Sequence, residues 1–161
     1  YSNNGYFSLG MEQKAQEAPV VERALKVGAI IEHNDCLLLE RTEDGLRPPQ
    51  VTVDVGRNAR DCIQGQLATA GLNVELGQVY SIFDSRKFEA GFTYYRAHAG
   101  NTEAGGLGEY IPVHELANQQ YVSSTHAAMM KRYVLERENG IFGVYVGDES
   151  GGDWHVLPES K

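Results

Sequence analysis

The residues of this chain that could do chemistry are few, and the strongest group of them has a structural explanation. Ser123, Ser124 and His126 place two hydroxyls and an imidazole close together. These are the groups of nucleophilic catalysis, but adjacency in sequence does not make a catalytic triad, and both serines are also good helix N-caps. The remaining histidines, including His114 and His155, lack the spacing of metal ligands. The sequence favours capping over catalysis here.

Loops that bind phosphate are not indicated either. The glycines at 105, 106 and 108 lack the spacing and the strand-to-helix setting of a dinucleotide fingerprint. No glycine-rich loop ends in Gly-Lys-Ser or Gly-Lys-Thr. We interpret residues 101–108 as a flexible, glycine-rich loop.

Carboxylates near the first predicted helix could hold a metal ion, but their distribution is uneven. Asp54 and Asp61 lie before and at the start of the helix, whereas residues 62–74 contain no Asp or Glu. Asp61 follows Asn58 by three residues, which is the spacing of a capping box with Asp in place of Glu. Asp54 therefore stays the one candidate that would face a ligand cleft, from the end of a strand.

The elements that position these residues follow from the hydrophobic pattern. Alternation from residue 24, turn residues at 33–35 and an apolar run at 36–41 predict a hairpin with one strongly buried strand. A proline-containing loop follows at 42–50, and 51–55 alternates as a short strand. Residues 58–70 predict a helix that is capped by Asn58 and ends at a left-handed Gly71.

The second half of the chain continues with strands and one long helix. Phe92, Tyr94 and Tyr95 mark an aromatic strand, which either stacks on a ligand ring or, as strand propensities favour, fills the core. The further elements are strands at about 72–83, 88–98 and 109–113, a helix at about 124–137, and a hairpin with strands at 141–146 and 154–157.

Composition limits the class of protein. The 161 residues carry a formal net charge of -8, so broad binding to nucleic acid polymers is disfavoured. No run reaches the roughly 18 apolar residues that a membrane span needs, and no signal-peptide pattern is present. Cys36 and Cys62 are isolated, which favours free thiols in a reducing cytoplasm over a disulfide. We therefore expect a cytoplasmic protein with one domain-sized core.

The order of hairpin, proline-containing loop, strand, helix, three strands and helix resembles the Nudix (MutT-like) superfamily over residues 24–138. Pro48 fits the proline of the family turn, and Gly71 with Leu72 fits the helix exit. The resemblance implies an α/β (α+β) fold in which a mixed sheet lies between helices. Residues 1–23 would then form an N-terminal arm or linker, and residues 139–161 an additional C-terminal β-hairpin.

The Nudix signature itself is degenerate. In an alignment that ends on Gly71 and Leu72, the family's Arg-Glu pair falls on Gln64-Gly65 and its Glu-Glu pair on Ala68-Thr69. A shift by one residue restores no helical glutamate either, because residues 62–74 contain no acid. In the family these glutamates hold magnesium against a diphosphate. The resemblance therefore implies loss of the usual metal site.

Three residues are carried over as candidates for binding a ligand. Arg41 matches an arginine common at that strand end, and Glu109 resembles a glutamate that many Nudix proteins carry in a later loop. Asp54 is the acid nearest the cleft. Each has an alternative explanation as a solvated surface charge, and no catalytic or metal residue is assigned.

Three functions remain open. The favoured one is a catalytically degenerate ligand-binding or regulatory module for a nucleotide-type small molecule, as part of a larger protein. The second is a divergent hydrolase of a nucleoside diphosphate derivative, and only this one would require magnesium. The third is a structural or dimerisation domain that forms a homodimer through the C-terminal hairpin. Because the chain begins at Tyr1, we expect either a natural start at Met11 or a preceding fused domain.

Overall fold

The computed structural model describes residues 23–101 and 106–148 and the backbone of 154–157. Most of the predicted N-terminal arm, part of the glycine-rich loop and the turn of the C-terminal hairpin lie outside this range. The strands are β1 Ala24–His33, β2 Cys36–Thr42, β3 Gly45–Arg47, β4 Gln50–Thr52, β5 Val74–Ser85, β6 Ala90–Ala99, β7 Glu109–Pro112, β8 Val144–Asp148 and β9 Trp154–Leu157. The helices are α1 Ala59–Thr69 and α2 Ser124–Asn139, with a 3-10 helix at Val113–Asn118.

Strand β1 organises a mixed sheet. All of β1 except its last residue, His33, pairs parallel with β6, from Ala24 opposite Ala90 to Glu32 opposite His98. Along its other edge, β4 pairs with the first half of β1 and β2 pairs with its end, both antiparallel. Strand β2 continues outward and pairs with β3 and β7, whereas β5 and β8 extend the sheet beyond β6.

The predicted hairpin of β1 and β2 is confirmed, and its turn has a clear cause. Asn34 and Asp35 have φ angles of 51° and 61°, so both central residues are left-handed. Two left-handed residues define the type I′ turn, whose twist matches that of paired strands. Asn and Asp tolerate this conformation better than most residues with a side chain.

Both faces of the sheet are buried under helices, as the resemblance implies. Helix α2 packs on one face, where the core includes Ile30, Tyr80, Phe92 and Met130. Helix α1 packs on the other face with Cys62, Ile63 and Leu67, against the alternate positions of β1. Burial on both sides explains why the middle of β1 is apolar at consecutive positions.

The ends of the helices follow the sequence signals. The side chain of Asn58 accepts a hydrogen bond from the Asp61 amide, as an N-cap does. Gly71 has a φ of +87°, its amide bonds to the Ala68 carbonyl, and the Leu72 amide bonds to the Leu67 carbonyl. This is the Schellman motif, and it confirms the predicted helix and its glycine cap.

Two expectations about the loop before α1 are wrong. The predicted strand at 51–55 ends at Thr52, because the chain turns where the Arg57 amide bonds to the Asp54 carbonyl. The predicted loop at 42–50 contains a three-residue strand, β3, which pairs with β2. Its Leu46 is fully buried and is further held by hydrogen bonds to Gln120 and Val122.

The last described strands, β8 and β9, pair antiparallel, and β8 also pairs parallel with β5. The residues between β8 and β9 lie outside the described range. No helix in the described part of the chain is long and apolar enough to span a membrane.

Candidate functional site

Among the grooves that the described residues form, two are considered as ligand sites. The first, which we call the α1 groove, has a volume of about 300 Å³ and is lined by residues that include Thr52, Asp54, Arg57, Cys62, Gln66 and Thr69. The second, which we call the basic cleft, has a volume of about 150 Å³ and is lined by residues that include Lys26, Arg47, Gln50, Phe88, Phe92 and His126. They differ in what they can bind.

The α1 groove lies where the degenerate signature would place a metal, and its donor set does not fit magnesium. Asp54 supplies the groove's carboxylate, is largely exposed, and lies 3.9 Å from the guanidinium of Arg57. Gln66 and Thr69 offer neutral oxygens and Cys62 a thiol, whereas magnesium prefers several carboxylate or water oxygens. Within the described residues no three His, Cys, Asp or Glu side chains cluster as metal ligands. We therefore derive no metal-dependent step here.

Two of the three residues carried over from the sequence meet each other. Pairing of β2 with β7 brings Arg41 against Glu109, with Nε to Oε2 at 3.1 Å and Nη2 to Oε1 at 3.2 Å. This fork-to-carboxylate hydrogen bonding lowers the pKa of Glu109 and raises that of Arg41. Both side chains are more than half exposed, so the pair contributes little to stability. Asp54 is placed apart from them, in the α1 groove beside Arg57, and a ligand role for all three stays a prediction.

The basic cleft collects residues that are distant in the sequence. Lys26 comes from the start of β1, Arg47 and Gln50 from β3 and β4, and Phe88 and Phe92 from the turn into β6 and from β6 itself. Gly28 permits this convergence. A Cβ at Gly28 would lie 2.5 Å from Cε1 of Tyr94 and 2.6 Å from the Pro49 carbonyl oxygen. Only glycine lets β4 and the Tyr94 ring approach β1 this closely.

Basic side chains line or border this cleft in an acidic protein. Lys26 Nζ donates to Thr52 Oγ1 at 2.8 Å, and Arg47 Nε donates to Glu40 at 3.1 Å. Lys87 lies beside the cleft, where its Nζ donates to the Val122 carbonyl and sits 5.3 Å from the centroid of Phe88. Several cations at one concave site favour an anionic ligand.

Aromatic rings form the apolar side of the same cleft. Phe92 stacks on Tyr94 with the ring planes 7° apart and the centroids 5.9 Å apart, and Phe83 continues the stack. Phe88 meets Phe92 edge to face at 6.0 Å. The sequence expectation that Phe92 and Tyr94 fill the core is confirmed, and Phe92 also borders the cleft.

The imidazole of His126 also lines the cleft, and sequence reasoning did not single it out as a binding residue. It is fully buried, with Nδ1 at 2.7 Å from Ser123 Oγ and Nε2 at 2.9 Å from the Tyr94 hydroxyl. Burial, helped by the positive charges of Arg47 and Lys87, lowers its pKa to about 3. The ring is therefore neutral at physiological pH.

The arrangement around His126 confirms the capping interpretation of Ser123. Its Oγ accepts a hydrogen bond from the His126 amide, and it is the N-cap of α2, so Ser124 is the first helical residue instead of a second cap. The far nitrogen of His126 meets a phenol and not a carboxylate, so the third member of a triad is absent from its described partners. No sequence spacing would have marked Tyr94 as the partner of His126.

Comparison of the sequence with known proteins found one curated relative. No family model matches the chain. A probable flavin reductase of Rhizobium meliloti (strain 1021) is 34% identical over 157 residues, which cover 98% of this chain and 50% of the relative. The chain thus spans about half the length of the curated relative that it matches.

Solved structures of other proteins share the fold described above. The crystal structure of a Nudix hydrolase from Nitrosomonas europaea matches with a TM-score of 0.68 and 15% identity, over 81% of this chain and 80% of that one. A putative oxidoreductase from Sinorhizobium meliloti 1021 matches with a TM-score of 0.61 and 28% identity, over 72% of this chain and 40% of that one. The first likeness shows the fold alone.

Proposed function

We propose that this chain, which has the Nudix fold, is a ligand-binding domain that holds a flavin nucleotide in the basic cleft and does not hydrolyse diphosphates. The observation that carries the proposal is the 34% identity to a probable flavin reductase across nearly the whole chain. Because the chain corresponds to about half of that relative, we propose that the domain binds ligand for, or regulates, a partner domain that does the redox chemistry.

The chemistry of the basic cleft supports this ligand class. A flavin nucleotide has a flat heteroaromatic ring and an anionic phosphate. Phe88 and Phe92 offer ring surface and Lys26 offers positive charge at the same concavity, while Arg47 lines it beside its partner Glu40. Because His126 is buried and neutral, the net charge of the cleft does not change through this residue across the physiological pH range.

The α1 groove supports the loss of hydrolysis. A Nudix hydrolase needs several carboxylates to hold metal against a diphosphate, and the groove offers Asp54 beside a guanidinium. A divergent hydrolase that uses Asp54 and Glu109 is the alternative. It predicts magnesium-dependent hydrolysis of ADP-ribose to AMP and ribose 5-phosphate, at a rate that falls when either residue becomes alanine.

We also propose Arg41, Asp54 and Glu109 as ligand contacts that contribute less to binding than Lys26 does. Arg41 and Glu109 neutralise each other, and Asp54 has Arg57 beside it, so each offers a ligand less net charge than Lys26. Alanine at any of the three should therefore weaken flavin binding less than Lys26→Ala does.

Titration with flavins tests the proposal directly. The fluorescence of FMN should be quenched on binding. FMN should also bind more tightly than riboflavin, which lacks the phosphate. Lys26→Ala and Arg47→Ala should each weaken FMN binding about tenfold, the effect of losing one charged contact. Lys131→Ala, an exposed charge on α2, is the matched control and should bind FMN as the unaltered chain does.

Two results would overturn it. One is the absence of FMN and FAD binding at millimolar concentration. The other is equal FMN affinity in Lys26→Ala, Arg47→Ala and the Lys131→Ala control, since binding would then occur elsewhere on the surface.

A further inference from the structure

Four hydrogen-bonded side chains connect α2 to the basic cleft. Ser123 Oγ lies 2.7 Å from Nδ1 of His126, and Nε2 of His126 lies 2.9 Å from Oη of Tyr94. Tyr94 Oη in turn donates to Oε1 of Gln50 at 2.9 Å. We call these four residues the relay. His126 and Tyr94 are fully buried, whereas Gln50 is half-buried and lines the cleft.

The protons of the relay can be placed by elimination. Oε1 of Gln50 has no hydrogen, so Tyr94 must use its one proton there. The Tyr94 oxygen must then accept from His126, which puts the proton of the neutral imidazole on Nε2. Nδ1 is left as an acceptor, and the hydroxyl of Ser123 donates to it. The relay therefore runs in one direction, from Ser123 through His126 and Tyr94 to Gln50.

The opposite direction would leave a donor unused. If the Gln50 amide were turned over, its NH₂ would donate to Tyr94, Tyr94 to Nε2, and Nδ1–H to Ser123. Ser123 Oγ already accepts from the His126 backbone amide as the helix cap. It would then accept twice, and its own proton would have no acceptor among the described partners. In the first direction Ser123, His126 and Tyr94 each accept one hydrogen bond and donate another, and Gln50 accepts at the end of the relay. Buried polar groups favour such an arrangement, and it leaves only the Gln50 NH₂ group, at the cleft, without a described protein acceptor.

We propose that Gln50 determines the specificity of the basic cleft, because the relay fixes its amide with the carbonyl inward and the NH₂ group toward the ligand. No described protein group accepts from this nitrogen. The cleft then presents donors: the Gln50 NH₂, the Lys26 ammonium and the Arg47 guanidinium. It selects a ring whose edge carries a hydrogen-bond acceptor, such as a keto oxygen, and disfavours one that carries an amino group.

The choice of ligand in this inference rests on the proposed function, whereas the hydrogen-bond directions of the relay do not. The flavin ring has two keto oxygens at one edge and suits such a donor. Hypoxanthine and adenine provide a matched pair of probes, because they have a keto oxygen and an amino group at the same ring position. IMP should therefore bind more tightly than AMP, by about tenfold for one hydrogen bond gained against one donor left unpaired.

The relay itself can be tested without any ligand. Long-range proton–nitrogen correlation spectra of the unaltered chain report which imidazole nitrogen carries the hydrogen. His126 should be in the Nε2–H form across neutral pH. Finding the Nδ1–H form would reverse the relay and overturn the inference, whatever the protein binds.

Two substitutions test the role of Gln50. Gln50→Glu keeps the shape and still accepts from Tyr94, but it replaces the NH₂ donor by a carboxylate oxygen. It should invert the preference between IMP and AMP and weaken FMN binding about tenfold or more. Gln66→Glu adds the same charge in the α1 groove and should change neither. Tyr94→Phe frees the Gln50 amide to turn over and should bring the two nucleotides close to equal affinity.

Failure of this inference differs from failure of the proposed function. If Gln50→Glu binds FMN as the unaltered chain does and keeps its nucleotide preference, the role of Gln50 is refuted while flavin binding stands. If FMN does not bind but IMP binds over AMP and Gln50→Glu inverts that order, the flavin proposal fails and the specificity assignment stands. If no flavin or nucleotide binds, both are refuted. Should Tyr94→Phe not fold, the tautomer and Gln50→Glu still decide.

Discussion

Adding one methyl group at Gly28 or at Gly65 should have opposite effects on this protein. At Gly28 a Cβ would lie 2.5 Å from the Tyr94 ring and 2.6 Å from the Pro49 carbonyl, and both contacts are closer than carbon atoms tolerate. At Gly65, inside α1, the same Cβ would meet no atom within 4 Å. One substitution overpacks the contact of β1 with Pro49 and the Tyr94 ring, whereas the other removes only the entropic cost of a glycine in a helix.

The magnitudes follow from these two settings. Gly28→Ala forces backbone or ring displacement in a buried region, which costs about 1–3 kcal/mol of unfolding free energy. Gly65→Ala should gain about 0.5–1 kcal/mol, the difference in helix propensity. For a domain of this size, these values correspond to a fall in Tm of about 2–12 °C and a rise of about 1–4 °C.

Urea unfolding and thermal melts of both variants measure the stability terms, and FMN titration measures the consequence for binding. Gly28→Ala should weaken FMN binding because Tyr94 and β4 shift, while Gly65→Ala should leave it unchanged. The reasoning is refuted if Gly28→Ala is as stable as the unaltered chain, or if Gly65→Ala is destabilised. Loss of FMN binding in Gly65→Ala alone would move the ligand from the basic cleft to the α1 groove.

Three further predictions follow from other parts of the molecule. The pKa of His126 is lowered to about 3 in the folded state, against about 6.5 when unfolded, so its contribution to stability is full above pH 6.5 and is lost as pH falls toward 3. Between pH 6.5 and 5 this should remove about 1–2 kcal/mol of unfolding free energy. Unfolding of His126→Gln at the two pH values should show a smaller loss, and the exposed His114→Gln should behave like the unaltered chain. Formation of AMP from ADP-ribose with magnesium should stay at background, and AMP formation that falls in Asp54→Ala would instead support the hydrolase alternative. If the C-terminal strands support a homodimer, the exposed Ile141, replaced by Asp, should convert a dimer to a monomer on gel filtration, and unchanged elution would count against dimerisation.

The fold was largely predictable because its signals are local. The Asn34-Asp35 turn, the Asn58 cap and the Gly71 exit each depend on residues within a few positions of one another. Helix α2 was also expected, although its buried face includes His126, a polar residue that hydrophobic periodicity passes over. Strand β3 was missed because three residues carry no period, and the bonds from Leu46 to Gln120 and Val122 that stabilise it are long-range.

The basic cleft could not have been found from the sequence. Lys26, Gln50, Phe92 and His126 lie on four different elements, and no fixed spacing relates them. What the sequence did supply was a negative result, the absence of carboxylates over residues 62–74, and the α1 groove agrees with it. The absence of a motif can be read from the sequence, whereas a site built from distant strands can be recognised only in the folded structure, where those strands are paired.

The parallel pairing of β1 with β6 has a consequence for synthesis. Partners such as Glu32 and His98 are 66 residues apart, so β1 leaves the ribosome well before the strand that completes it. Loop closure over such distances makes folding slow, on the millisecond-to-second scale typical of non-local sheets. Until β6 arrives, the nascent chain exposes an apolar strand with unpaired amides and carbonyls, which can pair with other chains. The strand that brings Lys26 and Gly28 to the cleft is thus also the segment where aggregation should begin when translation stalls before residue 99.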